Sequence, residues 1–108
     1  MNYHENLRKA DIDISSSGDN TIITAPTTGF IAIDHINFLA GDAVDVQLKD
    51  GSTNYGGLYE LTANQAVTLE NSFQNDKGVI TLTPGEAFVM NLSAAVQVSG
   101  FVRYRVID

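Results

Sequence analysis

The stretch FIAIDHINFL, residues 30–39, decides the fold class of this chain. Apolar residues recur in it with period two, which is the pattern of a β-strand that packs on a hydrophobic core. Ile31 and Ile33 share one face of this strand, whereas Ile36 and Phe38 share the opposite face. A β-bulge, or a strand that crosses between two sheets, produces such an inversion, because one extra residue moves every later side chain to the other face.

Short runs of the same alternation fill the chain on both sides of this stretch. Residues 44–49 (VDVQLK) alternate cleanly, and turn-forming residues dominate segments 15–20 (SSSGDN) and 50–57 (DGSTNYGG). Gly, Asp and Asn favour turns because they tolerate positive φ or bond their own backbone. About nine short strands at this spacing predict an all-β antiparallel sandwich or barrel, with a jelly roll as the first choice. No βαβ spacing occurs, which excludes a doubly wound parallel sheet.

The composition is that of one acidic globular domain. The chain has 108 residues, 44% of them hydrophobic and 18% charged, which suits a single folded unit. It holds no cysteine, so disulfides, thiolate metal sites and a cysteine nucleophile are excluded. The net charge of −7 would be repelled by phosphate backbones and anionic lipid, and no apolar stretch is long enough to span a bilayer. Nucleic acid and membrane are therefore not expected partners.

The charge is unevenly spread along the chain. Within residues 1–10, Arg8 and Lys9 stand against Glu5, a local balance of +1, whereas residues 11–108 hold four bases and twelve acids, a balance of −8. The N-terminal segment also lacks the apolar run of a signal peptide. We therefore divide the chain into an N-terminal arm, residues 1–10, and a β-sandwich domain, residues 11–108.

Two interpretations of the arm stay open. It is either a frayed, solvated terminus or a segment that docks on an acidic or apolar surface. In the second case Tyr3 and Leu7 are the apolar anchors, and Arg8 and Lys9 supply the charge. We expect at most one short helix, before residue 12, and an arm that becomes ordered only on its partner.

Catalytic signatures are missing from the sequence. Neither a G-x-S-x-G elbow nor an H-E-x-x-H zinc motif occurs. His35 follows Asp34, but adjacent strand residues point to opposite faces, so the two form a pair only if a bulge intervenes. The acidic loop from residue 50 fails as a calcium loop, because Tyr55 and Leu61 occupy the places of the required Gly and Glu. We predict a protein that is not an enzyme and needs no metal or cofactor.

Aromatic residues beside the glycine-rich loop suggest a second function, the binding of a sugar. Tyr55 and Tyr59 flank the loop at residues 56–57 and are candidates for stacking on a sugar ring. Tyrosine at such positions is equally a residue at the rim of a core, and the chain has no tryptophan.

Several predicted strands are apolar on both faces. The segments 30–33 (FIAI), 88–90 (FVM) and 101–102 (FV) are the clearest. A sandwich needs only one apolar face per strand, so the second face must meet a loop, the arm or another subunit. We therefore expect a homo-oligomer whose interface is formed by Phe30, Phe88 and Phe101.

Two parts of the sequence resemble a known group of proteins. Residues 18–23 (GDNTII) with 30–33 (FIAI), and residues 85–100 (GEAFVMNLSAAVQVSG) with 101–106, are similar to the opening and the closing hairpin of small β-sandwich virion proteins of tailed bacteriophages. These proteins are of the capsid decoration or cement type.

The resemblance implies a function and a place in the virion. It implies a non-enzymatic structural protein, often trimeric, that is made in the host cytoplasm and binds the major capsid protein on the outer surface of the head. The segment before Asp11 lies outside the resemblance and is the candidate for docking. The same features suit a tail or baseplate accessory protein, or a β-sandwich module that binds a sugar or a receptor.

Overall fold

The computed structural model describes residues 7–72 and 75–108, and within these ranges the chain is all-β. No described residue is helical, and no described helix is long and apolar enough to cross a membrane. The strands are β1 (Arg8–Ile14), β2 (Gly18–Ile23), β3 (Phe30–Ala40), β4 (Val44–Asp50), β5 (Thr53–Leu61), β6 (Ala66–Glu70), β7 (Ile80–Thr81), β8 (Phe88–Leu92) and β9 (Val98–Ile107).

The strands form two antiparallel sheets packed face to face. The first sheet has the order β1-β9-β3-β6, with the short β7 also paired to β3, and the second has the order β2-β8-β4-β5. Most successive strands lie in different sheets. The first strands pair with the last ones, β1 with β9 and β2 with β8. Apart from the short β7, each sheet has four strands, and two four-stranded sheets connected in this way form a jelly roll. The predicted fold class is confirmed.

The inversion predicted within residues 30–39 is a β-bulge. The register between β3 and β9 shifts between Ile33 and His35, which leaves Asp34 as the extra residue. Ile33 and Ile36 both face the core for this reason, although three positions separate them. The bulge keeps apolar residues inward on both sides of it and turns Asp34 out of the core.

The core lies between the sheets and takes side chains from both. Its main members are Ile12, Ile31, Ile33, Ile36, Phe38, Val98 and Val102 from the first sheet, and Val44, Val46, Leu48, Leu61, Phe88, Met90 and Leu92 from the second. Phe88 is fully buried there, so its predicted place in an oligomer interface is wrong. Phe30 and Phe101 are only half-buried and lie outside this cluster.

The boundary of the predicted arm is also wrong. β1 begins at Arg8, and Arg8, Lys9 and Ala10 pair with β9. Ala10 packs against the core, which draws this end of the segment into the sheet. Residues 8–10 therefore belong to the sandwich, whereas Tyr3 lies outside the described residues.

Two segments predicted as turns are partly strand. β2 starts at Gly18 and β5 starts at Thr53, inside the segments 15–20 and 50–57. Both are edge strands of the second sheet and pair on one side alone, so they tolerate residues that central strands exclude. The Asn20 amide in β2 also bonds the backbone of Ser16 and Gly18.

Candidate functional site

The outer face of the first sheet, turned away from the second sheet, gathers most of the chemically distinctive residues. Strand pairing places Lys9 beside Arg103, Arg103 beside His35, and His35 beside Glu70, in one row across four strands. Residues that flank this row along the strands, such as Ala10 and Val102, pack inward. The alternation of the strands therefore turns the whole row outward.

Two further rows complete the outer face. They are Asp11–Phe101–Asn37–Thr68 and Asp13–Ser99–Leu39–Ala66. Phe101 stands at the centre, and Leu39 is 41% exposed, a high value for so large an apolar side chain. The face thus has an aromatic and aliphatic middle with charged residues towards its edges.

His35 is held by three contacts on this face. Its Nδ1 lies 3.2 Å from Glu70 Oε1, and its Nε2 lies 2.9 Å from Asn37 Nδ2. Since the Asn37 amide nitrogen is a donor, Nε2 accepts and Nδ1 carries the proton towards Glu70. The ring also stacks on Phe101, with centroids 5.3 Å apart and planes at 24°. These contacts fix the orientation of both rings.

Beside this row lies a buried ion pair that the sequence did not reveal. Arg105 Nε donates to Asp34 Oδ2 at 2.6 Å, and a second guanidinium nitrogen donates to Oδ1 at 2.8 Å. The side chains are 0% and 5% exposed. Arg105 shares the alternation of the exposed Arg103 in β9, so the sequence alone did not indicate that Arg105 is buried. Charges buried to this degree are retained only when they are paired.

The loop after β6 is tied to the bulge that presents Asp34. The Asn71 backbone N–H donates to the Asp34 carbonyl at 2.8 Å, and the Val79 N–H donates to the Ile33 carbonyl at 2.7 Å. Gly78 has φ +77°, and a Cβ there would lie 2.4 Å from the Ile33 carbonyl oxygen, so glycine is required at this approach. Asn71 Nδ2 also donates to Asp34 Oδ1 at 3.1 Å.

Of the docking residues predicted at the N-terminus, Leu7 and Lys9 adjoin the outer face, whereas Arg8 lies on the opposite face of the sheet. Leu7 lines an open pocket of about 260 Å³ with Arg103 and Ser72. Arg8 lines a second pocket of about 390 Å³, between the sheet ends, together with Tyr104.

Three basic residues lie near this end of the sheet, Lys9 and Arg103 on its outer face and Arg8, the strand neighbour of Lys9, on the opposite face. We call Arg8, Lys9 and Arg103 the basic corner; Lys9 Nζ also contacts Asp11 at 3.0 Å. Of the three remaining bases, Arg105 is buried in its ion pair, Lys49 bonds Asp19, and Lys77 lies exposed in the loop before β7. The basic corner is thus a local cationic site on an acidic protein.

The outer face of the second sheet is different in character. Lys49 Nζ lies 3.1 Å from Asp19, and the Asn91 amide donates to Asp19 Oδ1 at 2.7 Å. These two hydrogen bonds, that from Asn91 above all, lower the pKa of Asp19 below its ordinary value. The polar groups of this patch bond one another.

The tyrosines considered for sugar stacking turn towards the core. Tyr55 and Tyr59 are half-buried and pack against the core cluster. Tyr59 meets Phe38 edge to face, with centroids 6.1 Å apart. They do not form an exposed aromatic platform. Within residues 7–72 and 75–108, no group of three or more His, Asp or Glu side chains is placed to hold a metal ion.

No family model, no curated protein and no solved structure matches the chain. The resemblance to phage virion proteins therefore stays a prediction made from residues 18–23, 30–33 and 85–106.

Proposed function

We propose that this chain is a non-enzymatic structural protein of a phage virion, of the capsid decoration or cement type, that attaches to the outside of the major capsid shell. The observation that carries this proposal is the outer face of the first sheet. It is a broad surface with Phe101 and Leu39 in its middle and charged residues around them. An apolar centre with a polar rim is the usual anatomy of a protein–protein contact, whereas small-molecule sites are concave.

The fold is compatible with a capsid protein but does not distinguish it from other functions. Jelly rolls serve as viral capsid domains, but also as lectins and cupins, so the fold by itself names no function. The residues that resemble phage proteins narrow the choice. In the structure, segments 30–33 and 85–106 contribute to β3, β8 and β9, which are central strands of the two sheets. The resemblance thus covers the centre of the sandwich.

The basic corner is the proposed point of attachment to the shell. Arg8 and Arg103 are exposed cations on a chain of net charge −7, and Leu7 provides an adjacent apolar side chain. A local cationic site on an acidic protein orients it towards an acidic patch on the partner and speeds their encounter. Lys9 belongs to the same site, and Tyr3, from the preceding residues, is proposed to add an apolar anchor.

Attachment is tested by sedimenting the full chain with empty shells of the major capsid protein encoded in the same gene cluster. We expect the wild-type protein to sediment with the shells. Arg8→Glu or Arg103→Glu should weaken binding about tenfold, equivalent to about 1.4 kcal/mol, because each charge then repels the acidic patch. The weakening should diminish at high salt, since exposed charges are screened.

Lys77→Glu is the matched control, since it makes the same charge change at an exposed loop residue away from the basic corner. If it weakens binding as much as Arg8→Glu does, the basic corner is not the attachment site. Binding to purified tails in place of shells would favour a tail or baseplate accessory protein. Retention on a glycan array without binding to shells or tails would favour a sugar-binding or receptor-binding module.

A further inference from the structure

We propose that the outer face of the first sheet binds a second copy of this chain, with the two faces related by a two-fold axis that runs parallel to the strands between β9 and β3. This face includes Lys9 and Arg103 of the basic corner, so a copy that pairs through it does not present these two residues to another partner. The proposal differs from the three-fold ring that the phage resemblance implies, because a contact between two identical patches closes as a pair.

The charges of the first row carry the argument. Lys9 and Arg103 lie on the β1 side of the face, and Glu70 lies at the β6 edge of the same row. Rotation about the proposed axis exchanges the two edges. Lys9 of each copy then lies over Glu70 of the other, so the contact contains two complementary ion pairs. Such pairs contribute little affinity at a surface, but they select the orientation.

The same rotation keeps like charges apart in the other rows. Asp11 comes to lie over Thr68 of the second copy, and Asp13 over Ala66. An axis across the strands would bring Lys9 over Asp13 of the second copy, but it would also place Asp11 on Asp11, which like-charge repulsion disfavours. The pattern of the face thus distinguishes between the two possible two-fold arrangements.

The apolar middle of the face supplies the contact itself. Phe101 lies over Asn37 of the second copy, and Leu39 lies over Ser99, which brings the apolar side chains of both copies to the axis. The stacking of His35 on Phe101 holds that ring in place before binding. A rigid aromatic side chain at the centre of a contact is the commonest kind of energetic hot spot.

The size of the face predicts a weak dimer. Four strands about 4.8 Å apart and three rows about 7 Å apart cover on the order of 400 Å² per copy. The total of about 800 Å² is below that of stable complexes. We therefore expect association at high concentration, or where neighbouring copies are held side by side on a larger assembly.

The test is sedimentation equilibrium of the full chain from about 10 µM to about 1 mM, a range suited to a weak contact. We expect the average mass to rise towards twice the 11.6 kDa of one chain. Lys9→Glu and Glu70→Lys should each weaken the dimer about tenfold, because each places like charges together twice. The double variant Lys9→Glu/Glu70→Lys should recover most of the lost affinity, because the ion pairs form again with their charges exchanged.

Two controls keep the result specific to this face. Lys77→Glu makes the same charge change as Lys9→Glu at an exposed residue outside the three rows and should leave the dimer intact. Phe101→Ser should abolish association while the circular dichroism spectrum stays that of the folded protein. A chain that is monomeric at 1 mM, a trimeric mass, or a double variant weaker than both single variants would each overturn the proposal.

Discussion

We expect replacement of Arg105 by Leu to lower the free energy of unfolding by about 3–5 kcal/mol, one of the two largest effects that a single substitution should have in this protein. The substitution removes both hydrogen bonds from the guanidinium to Asp34, at 2.6 and 2.8 Å, and leaves a carboxylate whose side chain is 5% exposed without its cation. Urea unfolding followed by circular dichroism measures the loss.

Neighbouring variants separate the ion pair from the general effect of losing an arginine. Arg103→Leu, two positions away on the same strand but exposed, should change the stability by less than about 0.5 kcal/mol. Arg105→Lys keeps the charge but loses the bidentate hydrogen bonding to Asp34, so its free energy of unfolding should lie between those of the wild type and Arg105→Leu. It replaces Arg105→Leu in the comparison if that variant does not fold.

Removing both charges should cost less than removing one. In Arg105→Leu/Asp34→Leu no buried charge is left without a partner, and we expect the double variant to be more stable than Arg105→Leu alone. The double variant should still be less stable than the wild type, because it also loses the hydrogen bond that Asn71 Nδ2 donates to Asp34. Equal stabilities of Arg105→Leu and Arg103→Leu would show that the ion pair contributes nothing.

Phe88→Ala should destabilise the protein by a similar amount, about 3–5 kcal/mol, because it leaves a cavity in a packed core. Phe88 is 0% exposed and packs between the sheets, whereas Phe101 is half-buried on the outer face. Phe101→Ala is the matched control and should cost no more than about 1 kcal/mol in a dilute sample.

The comparison of these two phenylalanines also tests their different roles. Phe88→Ala should lower the midpoint of thermal unfolding, whereas Phe101→Ala should act on the association of copies at high concentration. A larger loss of stability from Phe101→Ala than from Phe88→Ala would contradict the assignment of Phe88 to the core and of Phe101 to a contact surface.

The strands and the change of phase in β3 were predictable because they depend on near neighbours in the chain. Alternation in residues 30–39 predicted a strand, and the inverted phase predicted either a bulge or a crossing between sheets; the structure shows the bulge, at Asp34. The edge strands were harder: β2 and β5 contain Gly, Asp and Asn, whose turn preference is overcome by pairing with β8 and β4.

The sequence identified single residues of the candidate site but not their arrangement on one face. Leu7 and Lys9 were predicted to dock the arm and Phe101 to form an oligomer interface, and the structure brings all three to one face and its margin. Phe101 and Phe88 looked equivalent in the sequence, since each begins an apolar run. Only the packing of the two sheets decides that Phe88 points inward and Phe101 outward.

From the sequence followed an all-β antiparallel sandwich or barrel of short alternating strands, with a change of phase near residue 34, because alternation and turn preference act between residues a few positions apart. The tertiary structure alone decided which apolar face is buried, which residues form the rows of the outer face, and that Asp34 meets Arg105. Those two residues are 71 positions apart. No local pattern encodes such a contact, because it exists only after β3 and β9 have paired.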